Sequence, residues 1–310
     1  MAGELTEDQW RALLVTRTRH PEAIAQAYAA RKRPHRLLND RGSIFLVAAD
    51  HPARGALGTG GDPLAMGNRR SLLERLATAL AHPDVDGVLG SPDVVEELLL
   101  LGALEGKVVI GSMNRGGLDG AIWTMDDRFT GYDAASIASC NLEGGKMLLR
   151  IDDQDERTSA TIQSCARAVT ELAAHRVMAM IEPLPYRRDE HGVLQLRTDA
   201  QSLSRAVTVA SALGTTSAYS WLKLPACEDP AIVYGSTTLP CVVLGGVAAA
   251  DRAAQVASWE HTLRQPAVRG LVVGRTVLYP PDGDVAGTVD AAAQVLRAAR
   301  GDQPADGGPV

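Results

Sequence analysis

The sequence predicts an α/β fold, a (β/α)8 barrel behind an N-terminal helical extension. Eight short, nearly continuous apolar runs are spaced along residues 43–300, the pattern of parallel strands buried on both faces. Each run is followed by apolar residues at helical spacing or by helix-opening residues. Polar residues and glycines gather where the runs end, the side on which a barrel builds its site. A doubly wound sheet is the alternative, but no glycine fingerprint of the dinucleotide type follows the first run.

Residues 1–42 read as the extension. Thr6 is placed to cap a first helix and Pro21 to open a second, with Leu13, Leu14, Ile24 and Tyr28 at helical spacing. The first strand is expected over residues 43–50. A glycine-rich loop over 55–67 then leads to a helix carrying Leu72, Leu73, Leu76 and Leu80. The second strand covers 87–90, and Ser91-Pro92-Asp93 opens the next helix. The third covers 107–112, before a long loop over 113–132 and a helix of roughly a dozen residues. The fourth covers 146–152, with a helix over 159–175. The fifth covers 176–182, with a polar loop holding Tyr186 and Arg187 and a helix over 201–213. The sixth is 219–225. The seventh, 241–244, ends in Gly245-Gly246, and the eighth, 270–273, ends in Gly274-Arg275. A helix over 285–300 closes the barrel domain of 43–300, and residues 301–310, rich in Gly, Pro and Asp, read as a disordered tail.

A chain of 310 residues with 45% hydrophobic content can bury one sizeable α/β core. The net charge of −6, without a basic cluster, argues against a nucleic-acid partner. Four scattered cysteines with no C-x-x-C pair read as the reduced thiols of a cytoplasmic protein. The acidic start lacks a signal-peptide core, and runs such as 44–49 are too short to span a membrane. There is no Walker loop, no G-x-S-x-G and no H-E-x-x-H. Of the seven histidines only His51 falls at a strand end, so neither a catalytic metal nor a cofactor is expected.

The strand-end rule makes candidates of Asp50, Asp152, Glu182, Lys223, Gly245, Gly246, Gly274 and Arg275. Lys223 stands out because the chain has only four lysines, and this one lies in an apolar strand. Burial lowers an amine's pKa, and a free amine is a nucleophile for carbonyl carbon. A rim lysine paired with a carboxylate is the alternative. Glu182 reads as a proton shuttle, or as an ion-pair partner for Lys146 or Arg150. Lys146 either points inward, where it would lower the pKa of Lys223, or faces solvent at the bottom of the barrel. Asp50 and His51 suit substrate hydroxyls or a loop cap. Gly245, Gly246, Gly274 and Arg275 suit a phosphate, or mere tight turns. Asp126, Asp127, Arg128 and Tyr132 read as a solvated lid.

One ordered set of motifs carries a resemblance: Ala49-Asp50-His51, Thr130-Gly131-Tyr132, Lys146-Met147-Leu148-Leu149, Ile181-Glu182-Pro183, Leu222-Lys223 and Val273-Gly274-Arg275. It resembles the class I aldolases of the tagatose 1,6-bisphosphate aldolase type, in the fructose-bisphosphate and deoxyribose-phosphate aldolase superfamily, over residues 43–300. The chain also resembles an actinobacterial group of barrel proteins and the aldolase-like domain of inositol-catabolism proteins. The resemblance implies a lyase with Lys223 as Schiff-base lysine, Glu182 as acid/base, Lys146 as the strand-four lysine, Asp50 as the strand-one carboxylate and Arg275 on the phosphate. It implies a homo-oligomer that cleaves a phosphorylated keto-sugar to dihydroxyacetone phosphate and an aldehyde. In the inositol setting that sugar is 2-deoxy-5-keto-gluconate 6-phosphate. Gly245-Gly246 departs from the serine of tagatose-type relatives, His51 from the glutamine of some, and the extension before Ser43 is long. The rival reading is a sugar-phosphate-binding barrel that acts as an isomerase or a non-catalytic regulator and does not require Lys223.

Overall fold

The apolar runs become β1 (Ile44–Ala49), β2 (Gly87–Gly90), β3 (Val108–Ser112), β4 (Gly144–Ile151), β5 (Met178–Arg188), β7 (Ser220–Pro225), β8 (Cys241–Leu244) and β9 (Val268–Val273) in a computed structural model, which describes residues 3–246 and 252–301. Each pairs in parallel with its neighbours, and the β1–β9 and β4–β5 ladders close the sheet into an eight-stranded barrel. The runs are continuous in apolar character because alternate side chains meet two different cores. One set fills the lumen: Ile44, Leu46 and Ala48 of β1 meet Ile110, Met180 and Val272. The other set, including Val47, Leu149, Leu222 and Leu224, packs under the helices. Burying each large apolar side chain of these layers stabilises the fold by roughly 1.5–3 kcal/mol.

The segment before β1 closes the N-terminal end. Thr6 and Gln9 form a reciprocal capping box on the helix Glu7–Arg19, and Pro21 precedes the helix Glu22–Ala30. Leu37 and Leu38 pack against the lumen core from below. Arg31 is buried and pairs with Glu143 at 2.9 Å, whose other oxygen accepts the Val109 N–H at 2.8 Å. The Tyr28 and Tyr132 hydroxyls share a hydrogen bond of 2.6 Å, so the helix Glu22–Ala30 grips the end of the long loop after β3.

Several elements differ from expectation. β4 starts at Gly144, so Lys146 is its third residue. The helix after the long loop is six residues, Ala134–Ser139, because the chain turns at Asn141 with φ of 55°, a conformation a helix cannot continue through. The segment around Tyr186 and Arg187 is no loop. β5 runs on to Arg188 and pairs antiparallel with a short strand, β6 (Leu194–Leu196), to form a hairpin at the barrel mouth. Gly301 ends the last helix, Val285–Gly301, and the rest of the expected tail lies outside the described residues. Among the described residues, no helix is long and apolar enough to cross a membrane. All four cysteines are free thiols.

Candidate active site

Parity and register bring the charges together. Lys146, Leu148 and Arg150 alternate on the inner face of β4, as do Met180, Glu182 and Leu184 on β5 and Trp221 and Lys223 on β7. Leu148 is level with Glu182, and Ile181 with Leu222, so Glu182 stands beside Lys223. The apolar lumen layer lies below, and an ionic layer sits on it.

Glu182 holds both lysines. Lys223 Nζ donates to Oε1 at 2.8 Å, and Lys146 Nζ pairs with Oε2. Lys146 also stands 3.4 Å from Asp50 Oδ2 and is fully enclosed, so its inward reading is the one observed. Asp50 accepts from Ser112 Oγ at 2.9 Å and pairs with Arg115. Burial, then Arg115, lowers the pKa of Lys146 well below the ordinary lysine value. Burial lowers that of Lys223 against the pull of Glu182. For Glu182, burial alone would raise the pKa, but Lys146, Lys223 and Arg115 hold it well below the carboxylate range.

A cavity of about 360 Å³ opens above this layer at the C-terminal ends of the strands. Lys223 and Glu182 line its floor, and Gly245, Gly246, Gly274 and Arg275 form one wall. Gly246 has φ of 69°, which favours glycine. A Cβ on Gly274 would stand 2.6 Å from the Ala48 carbonyl oxygen and 2.8 Å from His51 Cε1, so close packing demands glycine there. Three buried atoms at the site lack hydrogen-bond partners: Arg275 Nε, His51 Nδ1 and Asp50 Oδ1. Burial, then Arg275 and Lys223, holds the His51 imidazole well below its usual pKa and hence neutral. His51 and Arg275 line the cavity, where unpaired buried polar atoms suit a polar ligand; Asp50 is fully buried and is not part of the lining. Among the described residues, no group of three His, Cys, Asp or Glu is placed to hold a metal.

Not every candidate converges. Asp152 sits outside this cavity, in a separate recess with Tyr186 and Arg197. Asp127, expected in a solvated lid, is buried in a fork with Arg150, Nε–Oδ2 2.8 Å and Nη2–Oδ1 2.7 Å, and Arg150 also lines the cavity. Arg115 and the hairpin leucines Leu194 and Leu196 also line it, and no motif had singled them out. Arg115 lies three residues beyond Ser112, the last residue of β3, so the strand-end rule extended by one turn would have found it. The hairpin leucines carry no comparable signal.

No curated protein matches the chain. Among solved structures, it is similar to Cgl0159 from Corynebacterium glutamicum, with 44% identity, a TM-score of 0.92, and 95% of this chain and 98% of that one covered. An archaeal fructose 1,6-bisphosphate aldolase shares the fold at 16% identity and a TM-score of 0.63, over 89% of this chain and 99% of that one. So does an archaeal fructose-1,6-bisphosphate aldolase whose catalytic lysine is covalently bound to the carbinolamine intermediate, at 15% identity and 0.62, over 88% and 99%. The sequence pattern of Cgl0159-like proteins matches residues 42–293, and the chain therefore belongs to the Cgl0159-like family.

Proposed function

We propose that this protein is a class I, Schiff-base aldolase acting on a phosphorylated keto-sugar. The observation that carries the reading is Lys223, a buried amine on the cavity floor whose one carboxylate partner is shared with a second lysine. Such surroundings favour the free amine, which is the nucleophile. The Lys223 nitrogen attacks the substrate ketone. Glu182 passes the proton that nitrogen sheds to the oxygen, which forms the carbinolamine, and relays a second proton from solvent, so that the oxygen leaves as water. The iminium draws electrons from the bond between the third and fourth carbons. That bond breaks as a base removes the hydroxyl proton of the departing half. Glu182 is the first choice for this base and Asp50 the second. Lys146 keeps Glu182 ionised between proton transfers. Protonation of the enamine and hydrolysis of the imine free Lys223.

Arg275 has no carboxylate partner among the described residues, so its charge is available to the substrate phosphate beside Gly245, Gly246 and Gly274, with His51 toward the hydroxyls. The shared fold with an archaeal aldolase trapped as a carbinolamine supports the reaction type. The motif resemblance supports 2-deoxy-5-keto-gluconate 6-phosphate as substrate in inositol catabolism and dihydroxyacetone phosphate as one product, made by a cytoplasmic homo-oligomer. Borohydride added during turnover should fix substrate mass on the peptide carrying Lys223. No adduct, together with turnover abolished by a chelator, would sink the class I assignment.

The Lys223–Glu182 ion pair also suits a barrel that binds a sugar phosphate without imine chemistry. Turnover that survives Lys223→Ala would favour an isomerase, and binding without turnover in the wild type would favour a regulator.

A further inference from the structure

Arg115 takes no part in the steps above, yet it touches the ionic layer. It lies just past β3, is 6% exposed, and donates its Nε–H to Ser112 Oγ at 3.2 Å while Nη2 pairs with Asp50. Five side chains therefore form a line of alternating charge: Arg115, Asp50, Lys146, Glu182, Lys223. The line begins and ends in a cation. Fully ionised, it holds three positive charges and two negative ones, a surplus of one inside the barrel. A buried surplus charge is costly, and titratable groups relieve it by changing protonation. A guanidinium keeps its proton at physiological pH. The surplus proton therefore leaves a lysine.

We propose that Arg115 is a positioning residue that sets this charge count: by sharing Asp50 Oδ2 with Lys146 it leaves two carboxylates for three cations, so that one lysine stands as the free amine. The inference rests on the reading of Lys223 as nucleophile, because Lys223 is the amine of the line that lines the cavity, whereas Lys146 is fully enclosed. The other charges around the two lysines keep the same sign. Arg275, past β9, adds positive charge toward Lys223, Arg54, past β1, lines the same cavity, and Tyr186 on β5 lines it as a neutral phenol, its pKa raised by burial. His51, past β1, is neutral. Arg150 on β4 is offset by Asp127. Cys165, behind β4, keeps its proton, since burial pushes its thiol up to about 12. β8 presents Leu244, Gly245 and Gly246, which carry no charge.

The chain has four lysines, Lys32, Lys107, Lys146 and Lys223, so NMR titration of protein labelled with 13C at lysine Cε follows each side chain separately. In Arg115→Met, the lysine that titrates lowest should move up by about 1–2 pH units. Arg115→Lys keeps the charge and should leave it in place. Asp50→Asn raises the surplus to two and should move it down. A purely structural role for Arg115 does not yield shifts of opposite sign. An unmoved titration in folded Arg115→Met overturns the proposal and leaves the Schiff-base reading intact. Shifts as expected, with no borohydride adduct on Lys223, support the charge count and sink the Schiff-base reading. If Arg115→Met does not fold, Asp50→Asn decides by sign: a downward shift supports the proposal, and no shift or an upward one overturns it.

Discussion

Glu182 serves two ammonium groups with one carboxylate, and each partner depends on the other. With Lys146 in place, the carboxylate is divided between two cations, and neither amine is fully compensated. Without Lys146, Lys223 would have the whole carboxylate and become a better-held ammonium and, on the Schiff-base reading proposed above, a poorer nucleophile. Lys146→Met should therefore lower kcat by about 100-fold or more, the scale of a lost acid–base element. It also breaks a buried pair, at a cost of about 3–5 kcal/mol. Steady-state kinetics with urea unfolding measures both. Full activity in a variant of unchanged stability would remove Lys146 from the site.

At the scale of elements, the long loop after β3 is held by its buried groups. Asn114 Nδ2 donates to the Leu148 carbonyl at 2.6 Å while its Oδ1 accepts the Leu148 N–H at 2.6 Å, which ties the start of the loop to β4. Arg150 clasps Asp127 and the Thr124 carbonyl, which fixes the middle. Tyr132, bonded to Tyr28, fixes the end. Between these anchors the loop turns Ile122 and Trp123 outward, 86% and 46% exposed, so apolar packing does not hold its tip. Arg150→Met should speed amide hydrogen exchange over residues 116–128 while β4 stays protected. Unchanged exchange in the loop would show that Asn114 and Tyr132 suffice. The hairpin of β5 and β6 rises two strands further round the mouth, where Leu194 and Leu196 add apolar surface to the cavity lining.

At the scale of the whole molecule, the two ends of the barrel respond to pH in opposite senses. At the C-terminal end Glu182 is held ionised, so the unfolded chain binds a proton that the fold refuses, and stability falls as pH drops below the ordinary carboxylate value. At the N-terminal end Asp86 accepts the Phe45 N–H at 2.7 Å, and burial pushes its carboxyl up to about 6 against that hydrogen bond. Between the ordinary value and about 6, the fold binds a proton that the unfolded chain lacks. Asp86 therefore costs stability as pH rises through that window, and the cost persists above it. Asp86→Asn keeps an acceptor for Phe45 without the charge. It should raise Tm by about 2–4 °C at pH 7.5 and leave it unchanged at pH 4. An equal gain at both pH values would show that the ionised carboxylate is not the cause.

The barrel itself was legible in the sequence, because strands buried on both faces must be apolar throughout and helices buried on one face must repeat at helical spacing. Lys223, Glu182, Asp50 and Arg275 were legible as candidates because each was expected at or near a strand end, and a lysine is conspicuous in a chain with only four. Which charges meet was not legible. That Lys146 faces inward depends on the register of β4 against β5, Lys146 level with Met180, and a slip of one residue would have turned it outward. Asp127 looked solvated because its partner Arg150 is 23 residues away along the chain. Arg115 reaches Asp50 across 65 residues, through a loop whose path no periodic pattern encodes. Strand and helix periodicity is a local property of the chain. Ion pairing in a barrel lumen is set by register and closure, which exist only once all eight strands have met.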